Sequence, residues 1–286
     1  MIVTRLIGGL GNQMFQYAAG RALAQRLGVD LYIDRRAFEN YETHAFGLQH
    51  FAAKLLDAAP RDLPGMQRES RLNRWLRRFS GGAMRVVTES AFTFDPAVLA
   101  LPDGIYIDGY WQSEQYFADV IQTIRDDFRI ATPPSPENQA WLKKIDSVLS
   151  VSLHVRRGDY VSNASASAVH GTCDLDYYRR SVSKLVEQAG KEIELFVFSD
   201  DPGWVAENLQ LPHPTHFVRH NNADTNYEDL RLMSACRHHI IANSTFSWWG
   251  AWLDSRSDSI VVAPRQWFRG DKPDARDLVP ERWIRL

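Results

Sequence analysis

The stretch Val151-Ser152-Leu153-His154-Val155-Arg156-Arg157-Gly158-Asp159-Tyr160 decides how this chain is read. Its first residues alternate apolar and polar, the pattern of a half-buried strand, and Gly158 breaks it. A polar cluster therefore falls at a strand's carboxyl end, where open α/β sheets bind ligands. Guanidinium groups match phosphate geometry and keep their charge. On a strand Arg156 and Arg157 point to opposite faces, so one at most reaches a ligand and the other packs on the domain's own carboxylates. A salt-bridged strand end remains the alternative.

Outward from this strand the second half alternates. Helices are expected over 174–188, 204–209, 227–237 and 248–253, and strands over 194–198, 216–218, 239–242 and 259–263. Repeated strand–helix units with short loops predict a parallel, doubly wound sheet. Three polar clusters fall at strand ends: His154/Arg156/Asp159, Ser199/Asp200, and Asn243-Ser244-Thr245-Phe246-Ser247. The last offers hydroxyls and N–H groups at a helix start, either as a cap or as the mate of a phosphate held by Arg156. Asp229, early in a helix, is either a dipole-compensating acid or a partner for a guanine edge. Asp174-Leu175-Asp176 has the Asp-x-Asp form of metal-dependent sugar transferases, but before a helix it reads as a cap. His238-His239 lack ligand spacing and read as structural.

In the first half, a strand over 2–7 runs into Gly8-Gly9-Leu10-Gly11-Asn12-Gln13, and a helix is expected from Met14 to Leu27 with Gly28 as its stop. Strand, glycine turn and helix start make either an anion site or simply a tight turn. It is neither the dinucleotide fingerprint, whose third glycine would fall at Met14, nor a P-loop, which would need Gly-Lys-Ser/Thr. A second strand ends at Asp34. A third is expected over 105–111, then a helix over 115–128 capped by Ser113. Arg68, Arg71, Arg74, Arg77 and Arg78 recur near helical spacing. That face is either solvated or meets an anionic membrane surface or lipid-linked substrate. Ala131-Thr132-Pro133-Pro134-Ser135-Pro136 is the strongest linker signal, so domains are expected at 1–135 and 136–286.

The totals narrow the class. The chain has 286 residues, enough for one large or two modest domains, with a net charge of −2. Its pI near 6.5 gives no general basic field for nucleic acid. The two cysteines form no CxxC, so neither a zinc site nor a disulfide framework is expected. The apolar start is too short for a signal peptide, and no run approaches the ~18 residues that span a bilayer. A cytoplasmic setting follows, peripheral at most to the inner membrane. The nine tryptophans are either core or platforms for sugars and bases. The platform reading allows a non-catalytic carbohydrate-binding module as a competing class.

Several long motifs together resemble the bacterial α-1,2-fucosyltransferases of glycosyltransferase family 11, over nearly the whole chain. They are Gly8 to Tyr17, Gly109-Tyr110-Trp111-Gln112-Ser113-Glu114, His154 to Tyr160, Phe198 to Asp201, Tyr227 to Leu230, and Asn243 to Trp252. The resemblance implies an α/β fold of GT-B type, two Rossmann-like domains facing each other across a cleft. It implies GDP-β-L-fucose as donor and a galactose-terminated glycan or lipid-linked oligosaccharide as acceptor. Inversion to an α-1,2 linkage is implied, with no cofactor and no required metal. Arg156 would then hold the β-phosphate, His154 lie by the nucleotide, Asp229 read guanine, and Asn243, Ser244, Thr245, Phe246 and Ser247 close on the pyrophosphate. The glycine loop, with Gly9, Gly11, Asn12 and Gln13, would face phosphate or fucose. Some related fucosyltransferases place a glutamate five residues beyond the motif's aspartate, where this chain has Ala164. Asp159, Asp34 and His170 remain as candidate bases, and no strongly tuned base is expected. A transferase of the same fold with another linkage, donor base or acceptor is the alternative.

Overall fold

The computed structural model describes residues 1–40, 43–60, 63–64, 84–157, 171–270 and 273–286. Asp159, His170, Ala164 and the arginines at 68–78 lie outside them. The chain forms two compact units, Met1–Arg129 and Ile130–Leu286. The division precedes the proline segment, which was expected to separate the domains at 135/136. The segment belongs with the second unit: Arg231 Nη2 donates to the Thr132 carbonyl, and Ser135 Oγ accepts the Asn138 N–H at 3.1 Å, capping the next helix.

The first unit carries β1 (Ile2–Arg5), α1 (Leu10–Leu27), β2 (Leu31–Asp34), β3 (Arg85–Thr88), β4 (Ile105–Asp108) and α2 (Ile121–Asp127). Its sheet runs β2-β1-β4-β3 with all pairs parallel. Helix α1 begins four residues before the expected Met14, because Gly9 serves as its N-cap. Gly11, Asn12 and Gln13 thus lie in the first helical turn, not in a loop. The helix stops at Gly28, whose left-handed φ of 65° suits glycine. The helix expected over 115–128 is instead a 3₁₀ stretch, Glu114–Val120, interrupted at Phe117 and followed by α2.

The second unit carries α3 (Pro136–Asp146), β5 (Ser150–Val155), α4 (Leu175–Ala189), β6 (Glu194–Ser199), α5 (Pro202–Asn208), β7 (Thr215–Phe217), α6 (Asn226–Ala235), β8 (His238–Ile240), α7 (Thr245–Trp252), β9 (Val261–Ala263) and β10 (Ile284–Arg285). Its sheet runs β10-β9-β8-β5-β6-β7, all parallel. Counted within the unit, this is the doubly wound order 3-2-1-4-5-6, whose direction reverses between its first and fourth strands, here β5 and β8.

Strand β5 is not half-buried as its alternation suggested; all six residues are buried. Val151, Leu153 and Val155 pack with Tyr178, Val182 and Leu185. Phe196 and Phe198, on the neighbouring strand, pack with Ile145, Leu232 and Met233 in a second cluster. Helices cover both faces, as parallel sheets require. The two serines of β5 have partners: Ser152 Oγ meets His239 Nδ1 at 2.8 Å, and Ser150 Oγ accepts the Arg237 N–H at 3.2 Å. Six tryptophans, at 111, 248, 249, 252, 267 and 283, are buried. They are core residues and offer no platform.

Candidate active site

In the second unit the polar clusters gather where the sheet reverses. His154, the residue before the last of β5, is buried, its ring centroid 5.9 Å from that of Phe246 in α7. No partner of its Nδ1 stands among the described residues. Burial first, then the positive charge of Arg156, pushes its pKa down to about 4, against the opposing pull of Asp200, so the ring is neutral at pH 7. Arg156 pairs with Asp200 at 3.1 Å, both side chains remaining about a quarter exposed (24%). Arg157 is tied elsewhere. Its N–H donates to Asp200 at 2.9 Å, its guanidinium faces Asp201 at 3.5 Å and lies 3.4 Å over the Trp204 ring. Each arginine thus meets one of the domain's own carboxylates, as the salt-bridged alternative has it, and Arg157 is held in addition by the Trp204 ring.

The segment after β8 divides by role. Asn243 Nδ2 donates to the carbonyls of Gly171 and Trp267, at 3.2 and 3.1 Å, so its amide ties two loops together. Ser247 Oγ donates to the Ser244 carbonyl at 3.2 Å. Ser244 occupies the N-cap position of α7, yet its side chain makes no cap hydrogen bond. Of the two readings of that serine, the cap is therefore not realised. Thr245, Phe246 and Ser247 form the first turn of α7, opening at the sheet reversal, where backbone N–H groups and the helix dipole favour an anion.

Asp229 stands apart from that cluster, with the residues after β7. It accepts from Asn221 Nδ2 at 2.7 Å, and Asn138 Nδ2 donates to Asn221 Oδ1 at 3.0 Å. His220 stacks on Trp141 at 5.7 Å and meets Asn138 Oδ1 at 2.8 Å. Burial raises the Asp229 carboxyl to about 6; the Asn221 bond opposes the shift and Glu228 adds to it. Asp174 caps α4, accepting the Tyr177 N–H at 2.7 Å, so the Asp-x-Asp run is a cap. Among the described residues no group of three or more His, Cys, Asp or Glu converges.

In the first unit the start of α1, which follows β1, meets the loop after β4, again where the sheet reverses. Gln112 Nε2 donates to Asn12 Oδ1 at 3.0 Å. Gly8 has φ +87°, and a Cβ there would lie 2.8 Å from Asn12 Nδ2, so both its turn and its neighbour require glycine. Gly9 has an ordinary φ of −66°, and a Cβ would stand 3.6 Å from the His44 ring. Nothing among the described residues around it demands glycine. Gln13 is buried in the frame: Nε2 donates to Gly8 and Ala45, and Oε1 accepts from Gly47, all at 2.9 Å. Asp34 is equally committed. Arg36 grips both its oxygens at 2.9 and 2.8 Å, and Tyr106 donates at 2.8 Å. Burial alone would raise its pKa, but these bonds lower it, which disfavours it as a base.

Glu89 is the residue that sequence reasoning missed. It accepts the N–H groups of Tyr110 and Trp111 at 2.7 and 3.0 Å. It follows a short exposed strand in a region without clear periodicity. The aromatic alternation of 105–111 suggested a strand to its end, whereas β4 stops at Asp108.

A parallel α/β unit with an arginine and a helix start beside its reversal, joined to another parallel unit with a glycine turn, has the two-unit make-up of the GT-B type. The chain belongs to glycosyltransferase family 11: the profile of Glycosyl transferase family 11 matches residues 1–285. It is 34% identical to an Escherichia coli alpha-1,2-colitosyltransferase, covering 100% of this chain and 99% of that one. It is also 34% identical to the Escherichia coli O-antigen biosynthesis glycosyltransferase WbnK, over 98% and 99%. The galactoside alpha-(1,2)-fucosyltransferase 1 of Aotus azarae is 27% identical over 97% of this chain and 72% of its own length. Among solved structures, an Arabidopsis thaliana FUT1 mutant in complex with GDP shares the fold at TM-score 0.54 and 12% identity, covering 98% of this chain and 74% of that one. POFUT1 in complex with GDP-fucose does so at 0.51 and 14%, covering 91% and 96%. No helix among the described residues is long and apolar enough to cross a membrane.

Proposed function

We propose that this glycosyltransferase moves L-fucose from GDP-β-L-fucose to the 2-hydroxyl of a terminal galactoside, with inversion to an α-1,2 linkage. One observation carries the reading: in a family 11 chain, Arg156 and the first turn of α7 follow the two strands, β5 and β8, between which the sheet order reverses. In this reading the C1–O bond of fucose breaks with its electron pair going to the β-phosphate of GDP. Arg156 and the α7 amides meet the charge that develops there. His154 and Phe246 line the nucleotide's path, and Asp229 pairs with the guanine edge. Gly9, Gly11 and Asn12 face the sugar or phosphate, with Gln13 holding that loop. The acceptor oxygen bonds to the anomeric carbon and gives up its proton to a weak base, for which Asp159 remains the candidate. The guanidinium supplies the charge a metal would, so the reaction runs without a metal. The acceptor is a galactose-terminated glycan or lipid-linked oligosaccharide.

The 34% identity to a colitosyltransferase favours a second reading of the donor: colitose is the 3-deoxy counterpart of L-fucose. GDP release from GDP-fucose and GDP-colitose, with a β-galactoside and with EDTA present, tests both. Turnover of GDP-fucose with an α-1,2 product is expected, undiminished by EDTA. Preference for GDP-colitose moves the donor, EDTA inhibition restores a metal, and no release from either donor overturns the proposal. Arg156→Ala should lose more than about a thousandfold in turnover, on the order of 4 kcal/mol. Activity near wild type would move the phosphate contact to Arg157.

A further inference from the structure

The loop leaving β4 is held more firmly than a simple connection needs. The Glu89 carboxylate takes two successive N–H groups, those of Tyr110 and Trp111. A Cβ on Gly109 would lie 2.4 Å from the Glu89 Cβ, so only glycine admits that side chain. Trp111 is the non-glycine residue at positive φ among the described residues, at 54°, a strained conformation for a bulky residue. Its carbonyl accepts the Ser113 N–H at 2.8 Å, closing a three-residue turn on Gln112. Strain of this kind persists where the surroundings over-determine it, and such places cluster at ligand sites. Here the strained loop stands where the sheet order reverses between β1 and β4.

The residue so placed is Gln112. The residue is only 5% exposed. Nε2 is committed to Asn12, while Oε1 is buried and without a partner among the described residues. A buried amide oxygen without a donor is uncommon and calls for a missing group. That group must bring an O–H or N–H. A diphosphate is excluded, because its oxygens only accept at neutral pH and would face another acceptor. A sugar hydroxyl donates one bond here and can accept another from a neighbouring amide.

We propose that Gln112 is a substrate-recognition residue that accepts a hydrogen bond from a sugar hydroxyl through Oε1, with Asn12 and Glu89 as the residues that position it. The proposal rests on the transferase reading above. The hydroxyl belongs either to the transferred sugar or to the acceptor, and two sets of deoxy analogues separate these. One set is GDP-fucose lacking O-2, O-3 or O-4, the other a β-galactoside lacking O-3, O-4 or O-6. Wild type should lose at least about tenfold in kcat/KM with one analogue. In Gln112→Leu that ratio should fall towards one while GDP affinity holds, and the set in which it falls identifies the sugar. Glu89→Gln, which leaves one acceptor oxygen for the loop, should show a smaller fall of the same ratio. It also provides the test if Gln112→Leu does not fold. Variants that slow every substrate alike, leaving all ratios at wild-type values, overturn the inference. If wild type itself fails to turn over GDP-fucose, the fault lies with the functional reading instead.

Discussion

At the scale of single residues, environment separates groups that the sequence presents as equals. Arg156 and Arg157 adjoin, but Asp200 pairs with the first, while Asp201 and the Trp204 ring hold the second. Asp229 shows a carboxylate whose surroundings work against its own charge. Burial lifts its pKa to about 6, above the ordinary 3.8. Its contribution to stability is therefore present below that ordinary value and lost as pH rises through 6. Asp229→Asn should raise the melting temperature at pH 7.5. If the carboxylate accepts the N–H groups of guanine, binding favours the ionised form and releases a proton. GDP affinity of the wild type should then weaken as pH falls below 6. Asp229→Asn should bind GDP at least about tenfold more weakly at pH 7.5, a loss of roughly 1.4 kcal/mol, and discriminate less among bases. Calorimetry in two buffers of different ionisation heat reads the proton directly. Unchanged affinity in the variant would remove Asp229 from the guanine site.

At the scale of elements, β5 and β8 are joined by a buried polar chain. Ser152 meets His239, and His239 Nε2 meets Asp254 at 3.1 Å. Arg256 holds the far side of Asp254 at 2.7 Å. The serine–histidine–aspartate order imitates a hydrolase triad, but all three side chains are buried and a nucleophile needs access. The chain pins strand register instead. Burial lowers the His239 pKa, with Asp254 opposing and Arg256 assisting. Burial would raise the Asp254 carboxyl, yet the bonds from His239 and Arg256 hold it well below its usual range. Both folded pKa values are depressed. The histidine's contribution is therefore full above about pH 6.5 and declines below it, and the aspartate's declines below about 3.8. Unfolding by urea should show falling stability from pH 7 to 5. Asp254→Asn should cost about 3 kcal/mol or more at pH 7, with turnover per folded molecule retained. Loss of turnover in fully folded variant would make the network catalytic. None of this pairing was legible in sequence, because His238-His239 and Asp254 lie on different elements and only strand pairing opposes His239 to Ser152.

At the scale of the whole molecule, ligand binding should appear as stability. A ligand at a hundredfold excess over its Kd adds about 2.7 kcal/mol, or roughly 5–10 °C for a unit of the second one's size. GDP should produce that shift in the full chain, and UDP and ADP should produce far less. Equal shifts from all three would remove guanine selectivity from the reading. The strand–helix alternation, the glycine turn and the polar strand ends were all legible in the sequence, because hydrophobic period and turn chemistry are local. So was the family, because its motifs are long and ordered. Other features required the tertiary structure: the order in which the strands lie, the attachment of the proline segment to the second unit, the burial of both faces of β5, and the grip of Glu89 on the Gln112 loop. These depend on contacts between residues far apart in the chain, and the packing that makes such contacts leaves no local periodicity to read.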